Sequence, residues 1–103
     1  MTFEQLCDFV MSKSEFLSIR DNGEAYIIMS ANGQRPFTHD HIHNLTKDDR
    51  FHLERAIMNM HAAEVAQSVG GITATCRDCG GVLVMVGDVV KYHYNVSGDC
   101  IPF

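Results

Sequence analysis

Apolar residues at Phe3, Leu6, Cys7 and Val10 recur at helical spacing and predict an amphipathic helix at the start of the chain. Thr2 with Gln5 three residues later has the sequence of a capping box, and Ser12-Lys13-Ser14 ends the stripe. The pattern then changes. Two short runs, 15–20 and 25–29, flank Asp21-Asn22-Gly23-Glu24, and Asn-Gly between such runs is a strong hairpin signal. A second Asn-Gly, Asn32-Gly33, turns the chain into a third strand over 34–38, which Pro36 confines to a sheet edge. The competing reading continues the first helix to Arg20 and caps it at Gly23.

Residues 39–45 are polar and are expected to form a loop. Thr46 then caps a long helix whose first turn carries Asp48 and Asp49, suited to the positive end of the helix dipole. Leu53, Ile57 and Met60 form its stripe, Ala56, Ala63 and Ala66 widen it, and Gly70-Gly71 ends it. Val82 to Val86 reads as a strand, Gly87-Asp88 as a two-residue turn, and 89–96 as the return strand. Counting from that turn sets Val86 against Val89, Leu83 against Tyr92 and Val82 against His93. The expected core face is Leu83, Met85, Val90, Tyr92 and Tyr94; Val82, Val84, Val86, Lys91 and His93 take the other. Together these elements predict an α+β fold: an N-terminal helix, a short antiparallel meander, one long helix and a C-terminal β-hairpin.

The length of 103 residues fits a single domain, with 46% hydrophobic and 20% charged residues as in ordinary globular chains. The longest apolar run, 82–86, falls far short of the roughly 20 residues a membrane helix needs. The opening Met1-Thr2-Phe3-Glu4-Gln5 has neither the basic residues nor the apolar stretch of a signal peptide, which leads us to expect a cytoplasmic, reducing setting. There, cysteines serve as ligands or core residues more often than as disulfides. The net charge of −5 and the lack of a basic patch weigh against nucleic acid as a partner.

The chemistry concentrates in Cys76-Arg77-Asp78-Cys79-Gly80-Gly81. Two thiolates two residues apart can bind one tetrahedral ion without strain, and the glycines after Cys79 permit a tight turn whose N–H groups point at sulfur. This segment resembles the zinc knuckle of the zinc-ribbon and rubredoxin-like families. The resemblance implies a structural Zn²⁺ stapling residues 72–103. A second CxxC is not present, so the remaining ligands must come from elsewhere: Cys100 is the candidate third and His93 the fourth, converging at one end of the hairpin. Cys7, on the apolar stripe of the first helix, is assigned to the core and held in reserve as a ligand. A redox-active CxxC is the competing reading, but such motifs open a helix in a βαβ unit, whereas glycines and β-branched residues follow here.

His39, Asp40, His41 and His43 form a second dense group; in an extended segment the three histidines would project to one side. Asp40-His41-Ile42 resembles the Asp-His-Ile core of HNH nucleases, which would imply a metal-dependent nuclease. The plainer reading is a solvated loop before a helix cap. His61 and Glu64 read as a surface pair at i,i+3. Met58 and Met60 offer either core or an adaptable contact surface. The leading expectation is therefore a small non-enzymatic zinc-binding protein acting on another protein, as adaptor, regulator or inhibitor. The alternatives are a hydrolase or nuclease using the His39–His43 group, and a nucleic-acid-binding zinc ribbon. Pairing of exposed strand edges makes a homodimer a further expectation.

Overall fold

The chain opens with the capped helix its sequence predicts. The structure is a computed structural model that describes residues 1–95. Thr2 accepts a hydrogen bond from the Gln5 N–H, and the Gln5 side chain accepts from the Thr2 N–H, which starts α1 (Phe3–Lys13). Strands β1 (Ser18–Asp21), β2 (Ala25–Ser30) and β3 (Gly33–Thr38) follow as an antiparallel meander in the order β1-β2-β3. The helix does not continue to Arg20: Ser14 is already extended, and Gly23 takes a positive φ of 92° in the turn between β1 and β2. Pro36 lies on the edge strand β3, opposite Ile27.

Residues 39–45 are not all loop. Thr38 caps a short helix, α2 (His39–His43), by accepting from the His41 N–H at 3.1 Å, and this helix buries Ile42 completely. The long helix α3 (Lys47–Ser68) starts at Thr46 with a reciprocal bond pair to Asp49. Three further strands, β4 (Ile72–Thr75), β5 (Val82–Val86) and β6 (Val89–Tyr94), form a second antiparallel sheet in the order β4-β5-β6. The predicted C-terminal hairpin is therefore two strands of three. β4 is only four residues long, Ile72-Thr73-Ala74-Thr75, too short for its alternation to stand out in the sequence.

The two sheets share α3. Leu53 and Ile57 from its first half join Leu6, Val10, Leu17, Tyr26, Ile28 and Ile42 in one core. Ala62, Val65 and Ala66 from its second half pack on Val84, with Val69, Val82 and Tyr94 alongside. A helix of 22 residues is roughly 33 Å long, enough to serve both. Between the two cores, Glu64 is buried and accepts from Asn32, from its backbone N–H at 3.2 Å and its Nδ2 at 3.0 Å, while Asn32 also bonds Gln67. Glu64 is thus not half of a surface pair with His61. It docks the β2–β3 turn onto α3.

The β5–β6 register differs from the one counted from the turn. Val86 faces Val89 and Met85 faces Val90, but a bulge then leaves Lys91 unpaired, so that Val84 faces Tyr92, Leu83 faces His93 and Val82 faces Tyr94. One extra residue moves β6 by one position against β5 and exchanges the faces that meet. The core face is accordingly Val82, Val84 and Tyr94, not the set containing Leu83 and Met85; Val84 is 0% exposed. His93 shares the opposite face with Leu83 and Ala74.

His61 sits where α1, α3 and the second sheet meet. Its Nδ1 lies 2.6 Å from the buried Ser14 Oγ, and its ring meets Tyr94 edge-on at 5.1 Å. Burial holds its pKa below the ordinary 6.5, against a smaller opposing pull from Glu15. The unfolded chain therefore takes up this proton first, so the contribution of His61 to stability is complete above about pH 6.5 and is lost as pH falls through the lower folded value. The ring should titrate below 6.5 by NMR. Thermal unfolding at pH 5.5–7.5 should show a loss on acidification that His61→Gln reduces; an unchanged slope in the variant would contradict this.

Candidate metal centre

The CxxC segment is the connection between β4 and β5. β4 ends at Thr75, opposite Val82, so Cys76 and Gly81 stand at the mouth of a hairpin loop. The Cys76 N–H donates to the Gly81 carbonyl at 2.9 Å, and the Gly80 N–H donates to the Cys76 carbonyl at 3.0 Å. Gly80 closes this turn with φ of +72°, a conformation that a side chain would strain. Gly81 is needed for a different reason. A Cβ there would lie 2.4 Å from the Tyr94 carbonyl oxygen and 3.1 Å from Cys79 Sγ. The Gly81 N–H donates to Cys79 Sγ at 3.3 Å. The glycines thus let the loop fold over its own sulfur and let β6 approach.

His93 completes the group. The bulge at Lys91 places it opposite Leu83, near the loop, and its Nε2 lies 3.3 Å from Cys79 Sγ. One donor atom each from Cys76, Cys79 and His93 lie within 4.8 Å of one another, close enough to hold a metal ion. Four ligands at about 2.0–2.3 Å from a tetrahedral ion stand roughly 3.5–3.8 Å apart, so little adjustment is needed. Cys76 is 4% exposed, while Cys79 and His93 are half-buried. From α3, the Arg55 Nη2 donates to the Gly80 carbonyl at 2.8 Å, a contact the sequence did not signal because Arg55 lies 25 positions away.

The remaining site candidates fall elsewhere. Cys100, the end of the return strand at Val96 and the turn 97–99 lie outside the described residues. Cys7 is half-buried on α1 and is not part of the group; burial and the neighbouring Asp8 and Glu4 raise its thiol pKa. The His39–His43 segment is helical, so His39 and His43 share one face and His41 leaves it. His39 Nε2 contacts Asp21 Oδ1 at 2.9 Å, where the Gly23 N–H and then His39 hold the Asp21 carboxyl below its usual value. His43 Nε2 contacts the Tyr26 hydroxyl at 2.8 Å, and His41 stacks on Phe37 at 6.0 Å. Among the described residues, these side chains do not form a group of three donors around one point.

Comparison with protein-family models, with curated proteins and with solved structures finds no match. Among the described residues, no helix is long and apolar enough to cross a membrane. The arrangement itself makes a prediction. Gly81→Ala forces a Cβ onto the Tyr94 backbone, and such overpacking costs about 1–3 kcal/mol. Its urea midpoint should fall, with loss of hydrogen-exchange protection at the Cys76 amide; wild-type protection in the variant would refute the tight approach of β6.

Proposed function

We propose that this chain binds one zinc ion through Cys76, Cys79 and His93, with Cys100 as the fourth ligand, and that the ion is structural. The observation that carries the reading is the convergence of three donors, from one loop and a strand 14 residues on, within 4.8 Å. The donor set favours the metal assignment. Two thiols and an imidazole suit zinc, whereas magnesium and calcium take oxygen ligands. Four protein ligands would leave no position for water or substrate, so the ion would act on folding, with an apparent free energy on the order of 10 kcal/mol.

On this reading the protein is a non-enzymatic module that acts by binding another protein. Support comes from the second sheet, where Val89 is 63% exposed and its cross-strand partner Val86 is exposed beside it. Apolar side chains grouped on a surface mark contact sites more often than isolated ones do. A zinc staple would hold these strands in the geometry that displays them. The acidic balance of the chain favours a protein partner over nucleic acid.

Native mass spectrometry of protein purified without added metal tests the zinc assignment. One zinc per chain is expected, lost in Cys76→Ser and Cys79→Ser, which should also lose the thermal stability of β4–β6 while α1 and the meander retain theirs. Two metals per chain, one of them labile, would favour the hydrolase reading through the His39–His43 segment. A wild-type metal content in Cys76→Ser would remove the assignment.

A further inference from the structure

We infer that Arg55 is a positioning residue for the Cys79 sulfur and acts on it through a single peptide group; this rests on the metal reading given above. The Gly80–Gly81 amide has a partner on each side. Its carbonyl oxygen accepts from Arg55 Nη2 at 2.8 Å, and its N–H donates to Cys79 Sγ at 3.3 Å. A trans amide carries its oxygen and its hydrogen on opposite edges, so guanidinium, peptide and sulfur form one continuous chain. A cation at the oxygen polarises the amide and makes its N–H a better donor, an increment of about 10–30% per bond in a hydrogen-bonded chain.

The local geometry is arranged for this contact. Gly80 takes φ of +72°, a turn that a side chain would strain, and a Cβ on Gly80 would lie 3.5 Å from the same Arg55 nitrogen. Arg55 is on α3, one residue before Ala56 and two before Ile57, both buried, so the root of the side chain is anchored by the core. The cleft above the loop is lined by Phe51, Met58 and Asn59 of α3 together with Cys79 and Val82. The helix that both sheets share therefore also reaches the sulfur. With two or three thiolates around one divalent ion, a guanidinium at this distance offsets the surplus negative charge, and the N–H bond withdraws electron density from the metal-bound sulfur. The consequence is a less nucleophilic thiolate and a site that holds its ion against electrophiles.

The test compares Arg55→Met, which keeps length but removes the donor, with Arg55→Lys, which keeps a cation, and with Arg50→Met as a surface control. Two readouts are taken on the full chain: the Gly81 amide proton shift, with and without zinc, and the alkylation rate of the zinc-loaded protein by iodoacetamide. In Arg55→Met the Gly81 amide should move upfield and alkylation should rise about two- to threefold, with Arg55→Lys in between and Arg50→Met at the wild-type value. An unmoved Gly81 amide and an unchanged alkylation rate in zinc-loaded Arg55→Met would overturn the inference. So would equal effects of the Met and Lys substitutions, which would mark Arg55 as a packing residue only. Failure of the wild type to take up zinc would remove the metal reading instead, and the Gly81 shift in metal-free protein would still decide whether the peptide relay exists.

Discussion

Two thiol side chains and an imidazole held within 4.8 Å of one another are the constraint on which the second half of the molecule turns. Thiolates this close repel each other, and a divalent cation between them converts that repulsion into attraction. The backbone around them is shaped to allow it. The loop closes through the Cys76–Gly81 and Gly80–Cys76 bonds, the positive φ at Gly80 makes the turn, and the bare Cα of Gly81 admits β6. Of these, the bare Cα at Gly81 is the one a simple hairpin would not require. Together they bring sulfur, sulfur and nitrogen to one point.

The rest of the fold supplies the frame. α3 lends its first half to the core beneath the meander and its second half to the core beneath β4–β6, and Arg55 reaches from it to the Cys76–Gly81 loop. Glu64 ties the β2–β3 turn to the same helix, and His61 joins Ser14 at the end of α1 to Tyr94 on β6. The second core is small, with three buried residues of the helix, two of them alanines, meeting Val84. A core of this size contributes few kilocalories, which is the situation in which a bound metal decides whether a small sheet is ordered.

Much of this was legible in the sequence because local rules decide it. Thr2 and Thr46 announce their helices through capping chemistry, Asn22-Gly23 and Asn32-Gly33 announce the meander, and the CxxCG spacing announces the loop. What escaped depends on contacts between distant parts of the chain. The bulge at Lys91 changes which face of β5 is buried, and no local signal marks it. β4 is a strand because β5 pairs with it. Residues 39–43 are helical because Thr38 caps them and Ile42 finds the first core, and the histidines that looked like one group then turn to Asp21, Tyr26 and Phe37. His93 lies beside the loop although the counted register was off by one, since the bulge moved it from Val82 to Leu83 and left its ring within reach of Cys79.

The most direct test of the central claim is X-ray absorption at the zinc edge on the protein as purified. The account predicts a four-coordinate ion with sulfur at about 2.3 Å and nitrogen at about 2.0–2.1 Å, the nitrogen scatterer disappearing in His93→Ala. A first shell made only of oxygen and nitrogen, or no bound metal in freshly purified protein, would contradict it.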